Sequence, residues 1–217
     1  MSVVQNTLIG RARQKIGGSV FSSWKGINVL KSKPLTVANP RTDAQQVQRD
    51  ALKILTAFYR QVSGAIQVGF KQQAIQKSEF NAFTSYNLKN AIDKSGAPTA
   101  ALVLTQMLVA QGTMATTPTL TGVASAGTGE VEITFGTALT GPGQSANDKA
   151  FLVVYNGTTE TAYTGASDGI RSDGSVSLEL PAGSFVSGNT LTCWLFFQSG
   201  TGVKTSDSVR RNVVAGA

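Results

Sequence analysis

The sequence predicts an α+β chain built from two modules. A basic N-terminal module with a β-hairpin and two helices occupies 1–115, and an antiparallel immunoglobulin- or fibronectin-like β-sandwich occupies 116–217. Three observations predict this. The first 42 residues carry seven cations and no carboxylate. Apolar residues recur at spacings of three and four between Val47 and Ile92, then lose that period beyond residue 99. The last hundred residues hold short apolar runs separated by Gly-Pro-Gly, Asn-Gly, Asp-Gly and Ser-Gly.

Charge separates the two modules. Of 217 residues, 1–100 hold 14 basic and 4 acidic residues, whereas 101–217 hold 5 and 8, so the net charge of +7 is the sum of +10 and −3. Only 14% of residues are charged, against about 25% in typical soluble domains. Gly, Ser and Thr replace them, as in β-rich structural proteins.

Each element follows in order. Val20, Phe21 and Trp24 precede Lys25-Gly26, and Ile27, Val29 and Leu35 follow. Two β-prone runs around a glycine turn predict a hairpin, with Pro34 ending its second strand or holding it at an edge. Thr42 with Gln45 forms a Thr-x-x-Gln capping box. After it, Val47, Ala51, Ile54, Phe58, Val62 and Ala65 lie on one helical face, widened by Leu52, Leu55 and Tyr59. Gly64 weakens this helix, and Gly69 is a candidate stop. A second helix starts near Ser78, with Phe80, Phe83, Leu88, Ala91 and Ile92 on its apolar side, and Gly96-Ala97-Pro98 closes it. Leu102 to Val109 reads as a strand or linker, and Thr116-Thr117-Pro118-Thr119 as a boundary. Strands are then expected at 131–135, 151–155, 176–180, 191–197 and 209–214, with Trp194 as a core aromatic.

The residue inventory excludes most chemistry. There is no histidine, which removes Ser-His-Asp triads, Cys-His dyads and His-ligated metals. Cys193 is the only cysteine, so no intrachain disulfide forms, and its apolar run predicts a buried thiol. No phosphate-binding GxxxxGK[ST] string occurs. Gly141-Pro142-Gly143-Gln144-Ser145-Ala146 mimics a dinucleotide motif, but no strand–helix context surrounds it, so it reads as a loop. Asp168 and Asp173 in SDGIRSDGS, and Asn156-Gly157-Thr158, read as turn residues. The chain is expected not to be an enzyme and to need no cofactor or metal. The longest apolar stretch, Ala100 to Ala110, is too short to cross a bilayer, and no apolar leader precedes a cleavage site. Folding in a cytosol is the expectation.

The candidate contact residues are therefore Arg11, Arg13, Lys15, Lys25, Lys31, Lys33 and Arg41. Arg11, Arg13 and Lys15, like Lys31 and Lys33, have the alternate spacing that places side chains on one face of an extended segment. Such cations neutralise phosphates, and Phe21 or Trp24 could stack on unpaired bases. They serve equally to meet carboxylates of a neighbouring subunit, such as Glu130, Glu132 or Glu160. Phe58, Phe80 and Phe83 read as core by their helical spacing.

The order Gly10-x-x-Arg13-x-Lys15-x-Gly17, Val20-Phe21, Lys25-Gly26, Lys31-Ser32-x-Pro34 and Asn39-Pro40-x-Thr42-x-x-Gln45-x-x-Gln48-Arg49 resembles a group of similarly sized proteins from Bacteroidota and their phages. Gly69-Phe70, Asn81-x-Phe83, Val153-Val154-Tyr155-Asn156 and Ser206-Asp207-Ser208 extend the resemblance over most of the chain. The sequence departs from the group at Ser22-Ser23-Trp24 and Arg210-Arg211. The group carries no established activity, so no catalytic residue transfers. The resemblance implies a phage-like origin and a virion component, assembled in the host cytoplasm. Its partners would be copies of itself and other virion proteins, with nucleic acid as the alternative. A free nucleic-acid-binding protein, and an adhesive or carbohydrate-binding module, are the competing readings.

Overall fold

The computed structural model describes residues 2–3, 14–24, 27–34, 36, 39–116, 119–125, 127–165 and 169–216. The chain divides into two compact units, Met1–Arg41 and Thr42–Ala217.

The first unit is a four-stranded antiparallel sheet in the order β1-β4-β3-β2. Its strands are β1 (Ser2–Val3), β2 (Gln14–Ile16), β3 (Ser19–Trp24) and β4 (Ile27–Ser32). The two strands expected as a hairpin pair antiparallel, with Trp24 opposite Ile27; Lys25 and Gly26 lie outside the described residues. Gly17, at φ +58°, turns β2 into β3, a conformation that glycine adopts without a Cβ penalty. No side chain with a described environment is buried in this unit.

The second unit begins with α1 (Asp43–Gln61), where the Thr42 hydroxyl accepts a hydrogen bond from the Gln45 amide at 3.4 Å. Its buried stripe is Val47, Ala51, Leu55 and Phe58. The helix breaks at Val62, two residues before Gly64, and a short α2 (Ser63–Gly69) follows. The third helix, α3 (Glu79–Asn90), is capped by Ser78, which accepts from the Asn81 amide at 3.2 Å. A two-stranded ribbon, β5 (Ile92–Asp93) with β6 (Ala101–Leu102), comes next. Seven strands complete the unit: β7 (Leu120–Ser125), β8 (Glu130–Phe135), β9 (Lys149–Asn156), β10 (Thr161–Thr164), β11 (Ser175–Glu179), β12 (Thr190–Gln198) and β13 (Val209–Gly216). They form one sheet in the order β10-β9-β12-β13-β7-β8-β11. All its pairs are antiparallel except β13 with β7. The sheet curls until its ends approach: a bridge joins Lys149 of β9 to Ile170, just ahead of β11. The result is α+β with a large, mostly antiparallel and nearly barrel-like sheet.

Two apolar clusters hold this unit together. One fills the concave side of the sheet and includes Leu152, Val154, Cys193, Leu195, Phe197, Ile133 and Val213. The other packs the helices on the outer side of β9 and β12, joining Leu55, Phe58, Phe70 and Phe83 to Val153, Trp194 and Phe196. Phe58 meets Trp194 edge-on at 5.9 Å. The Trp194 indole N–H donates to the Met107 carbonyl at 3.1 Å. Asn87 seals the linker, donating to the Leu108 carbonyl at 2.9 Å and accepting from the Leu108 amide at 3.0 Å.

The boundary expected between 115 and 116 falls inside the unit Thr42–Ala217, where helices pack on the sheet. Residues 191–197 are buried without alternation, so both faces of β12 need cover. The helices supply the second cover and cannot separate from the sheet. The charge step near residue 100 therefore falls inside one folding unit, and the division lies at Arg41/Thr42.

Candidate partner interface

Strand register decides which candidate cations share a face. Lys15 of β2 lies opposite Val20 of β3, and Val20 lies opposite Lys31 of β4. Directly opposed residues project to the same side of a sheet, so Lys15 and Lys31 flank Val20 on one face. Two strand spacings separate them, about 10 Å. Lys33 lies just past the end of β4, two residues beyond Lys31, and its amide donates to the Gly18 carbonyl at 2.7 Å. All three lysines are exposed. The opposite face carries Phe21 and Leu30, a cross-strand pair, both half-buried. Arg41 is exposed at the end of the unit. Arg11, Arg13 and Lys25 lie outside the described residues. The structure thus brings Lys15, Lys31 and Lys33 together in a unit whose sequence contains no carboxylate.

The acids named as possible counterparts sit in the second unit. Glu130 and Glu132 project to the outer, solvent side of β8, where Glu130 opposes Glu179 and Glu132 opposes Ser177. Glu160 stands in the turn between β9 and β10.

Other groups read from sequence prove structural. Cys193 is buried, and burial pushes its thiol up to about 12, far from a reactive thiolate. Asp173 accepts from the Ile170 amide at 2.8 Å in a 3₁₀ turn. Asn156 is buried, accepting from the Thr158 amide at 2.9 Å and donating to the Ser184 carbonyl at 2.9 Å. Gln144 of the glycine-rich loop accepts from the Thr140 and Gly141 amides at 2.8 and 3.0 Å. Asp93, fully exposed, is held below the usual carboxylate range, chiefly by the Ser95 amide. Among the described residues no group of three His, Cys, Asp or Glu side chains could hold a metal ion. No described helix is long and apolar enough to cross a membrane.

Two features escaped the sequence reading. One is a fully buried ion pair. Arg171 Nε donates to Asp148 Oδ2 at 3.1 Å, and the guanidinium lies 3.8 Å from the Phe197 ring centre. No sequence signal marks it: Asp148 directly precedes β9, and Arg171 opens a 3₁₀ turn before β11. The other is a cavity of about 230 Å³ between α1 and the β9–β10 end of the sheet. Its polar residues, Asp50, Lys53, Gln61, Tyr155 and Glu160, come from three segments: α1, β9 and the turn after β9.

The fold and the lysine face together define an α+β protein that carries a small basic sheet ahead of a helix-backed β unit. The chain belongs to a family of unknown function, DUF6266, whose model matches residues 10–211. That match takes in the basic strands as well as the large sheet. No curated protein and no solved structure matches the chain.

Proposed function

We propose that this chain is a non-enzymatic structural component of a bacteriophage particle. It would assemble through its basic N-terminal residues with copies of itself and other virion proteins, in the host cytoplasm. One observation carries the reading: Lys15 and Lys31 share a face of a sheet, with Lys33 exposed just past its edge, and that sheet has no buried side chain with a described environment. A sheet normally buries at least one face to be stable. A protein neighbour would supply that cover, and its carboxylates would meet the lysines. The phage setting comes from the resemblance to proteins of Bacteroidota and their phages.

In this reading the curled sheet of the second unit is the immunoglobulin-like module. Its antiparallel hairpins and buried Trp194 support that assignment. Lys15, Lys31 and Lys33, with Arg11, Arg13, Lys25 and Arg41, are the contact residues, and neither a cofactor nor a metal takes part.

Mass spectrometry of particles purified from a host carrying this gene tests the proposal. The expected result is peptides of the chain at a fixed ratio to other virion proteins. Absence from every particle fraction would overturn it. Binding of the free protein to polynucleotide, weakening by about a thousandfold between 50 and 200 mM salt, would favour the nucleic-acid reading instead.

A further inference from the structure

The cavity beside α1 sets polar groups, some anchored and some unengaged, over an apolar floor. Ile54 and Phe58 of α1 form that floor, and Tyr155 of β9 forms a wall, its ring 5.8 Å from that of Phe58. Asp50 is anchored through Oδ2, which accepts from the Ala100 amide at 2.9 Å. Glu160 is held by its backbone. It has φ +53°, a left-handed conformation that is uncommon for a residue with a side chain. Such backbone persists where the surroundings fix it, and it gathers at ligand sites.

The surroundings here are specific. Gln61, at the end of α1, donates through Nε2 to the Glu160 carbonyl at 3.5 Å and accepts through Oε1 from the Ala162 amide. The Asn156–Thr158 bond and a Thr159–Thr161 hydroxyl pair at 2.5 Å tighten the same turn. Glu160 is thereby presented at the cavity, and no described residue hydrogen-bonds or ion-pairs with its carboxylate. The Tyr155 hydroxyl likewise has no hydrogen-bond partner among the described residues. Its pKa is raised, first by burial and then by the Glu160 charge, so it stays a neutral phenol.

The charge balance sets the ligand class. Of the three charged liners, Asp50 and Glu160 are negative; Asp50 is held at its carboxylate and Glu160 at its backbone, with its side chain exposed. Lys53 is exposed, and its long stem lets the ammonium swing into water. Two carboxylates against one lysine make the lining net negative, and the rings of Phe58 and Tyr155 add a cation-attracting face. We propose that this cavity binds a small organic cation, an ammonium or guanidinium group on an apolar body, with Glu160 and Asp50 taking the charge. The site is independent of the basic sheet and of any particle.

Titration calorimetry of the full chain with phenethylamine, and with phenylacetate as its anionic counterpart, tests this. Saturable one-to-one binding of the amine, and none of phenylacetate, is expected. Glu160→Gln should weaken the amine by about tenfold or more, because a charged hydrogen bond is lost. Ala57→Phe, at an exposed helix position on the cavity lining, should abolish binding while leaving the thermal midpoint in place. The proposal falls if millimolar amine gives no saturable binding, if phenylacetate binds as well, or if Glu160→Gln binds as the wild type does. Should Ala57→Phe fail to fold, the exposed Glu160→Gln variant decides alone.

Discussion

The two units reach order by different routes. The second buries two apolar clusters on opposite sides of one sheet, with eleven aromatic rings of the described residues in close pairs, from Phe58, Phe83 and Trp194 to Phe151 and Phe196. The first pairs four strands and leaves the apolar side chains it describes half-buried at most. Burial dominates folding free energy, so stability should reside in the second unit. The first spends its surface on charge and on strand faces open to a neighbour.

Substitutions can break or sharpen that contrast. The largest effect is expected from Trp194→Ala, which empties the joint between helices and sheet and should cost about 3–5 kcal/mol in denaturant unfolding. Its counterpart Phe21→Ala should cost no more than about 1 kcal/mol, as most weakly buried positions do. If Phe21→Ala matched Trp194→Ala, the first unit would own a core and the contrast would fail. Asp148→Ala strands the buried Arg171 charge and should cost about 3–5 kcal/mol. The double change to leucine at 148 and 171 should be milder, because it removes the stranded charge with its partner. Thermal melts that rank the double variant below the single would contradict this reading of the pair.

Cys193 gives a smaller, pH-dependent effect. Below its ordinary value near 9 the thiol is protonated in both states. Between there and about 12 the unfolded chain releases the proton while the folded chain keeps it, so stability falls as pH rises through that window. Cys193→Ser should flatten the slope in alkaline melts, whatever its cost at neutral pH. The smallest effect on stability belongs to Lys15→Glu, Lys31→Glu and Lys33→Glu together, within about 0.5 kcal/mol per exposed position.

Much of this architecture was legible in the sequence. The capping signal at Thr42, the helix start near Ser78 and the five runs expected as strands after residue 130 all correspond to observed elements. Local chemistry fixes such features. The misses are non-local. Leu120–Ser125 and Thr161–Thr164 are short and glycine- or threonine-bearing, so their strand character comes from the pairing partners. The helix-to-sheet packing announced itself only in the unbroken apolar run of β12, which an exposed sandwich face would not tolerate. Alternation groups Lys31 with Lys33 in the sequence, whereas Lys15 meets Lys31 only through register across β3. The cavity escaped because its charged residues are scattered between 50 and 160.

The full-length variant carrying Lys15→Glu, Lys31→Glu and Lys33→Glu tests the central claim most directly, when followed into purified particles by quantitative mass spectrometry. The account predicts a wild-type thermal midpoint with loss of the chain from the particle fraction. Incorporation at the wild-type ratio would contradict it.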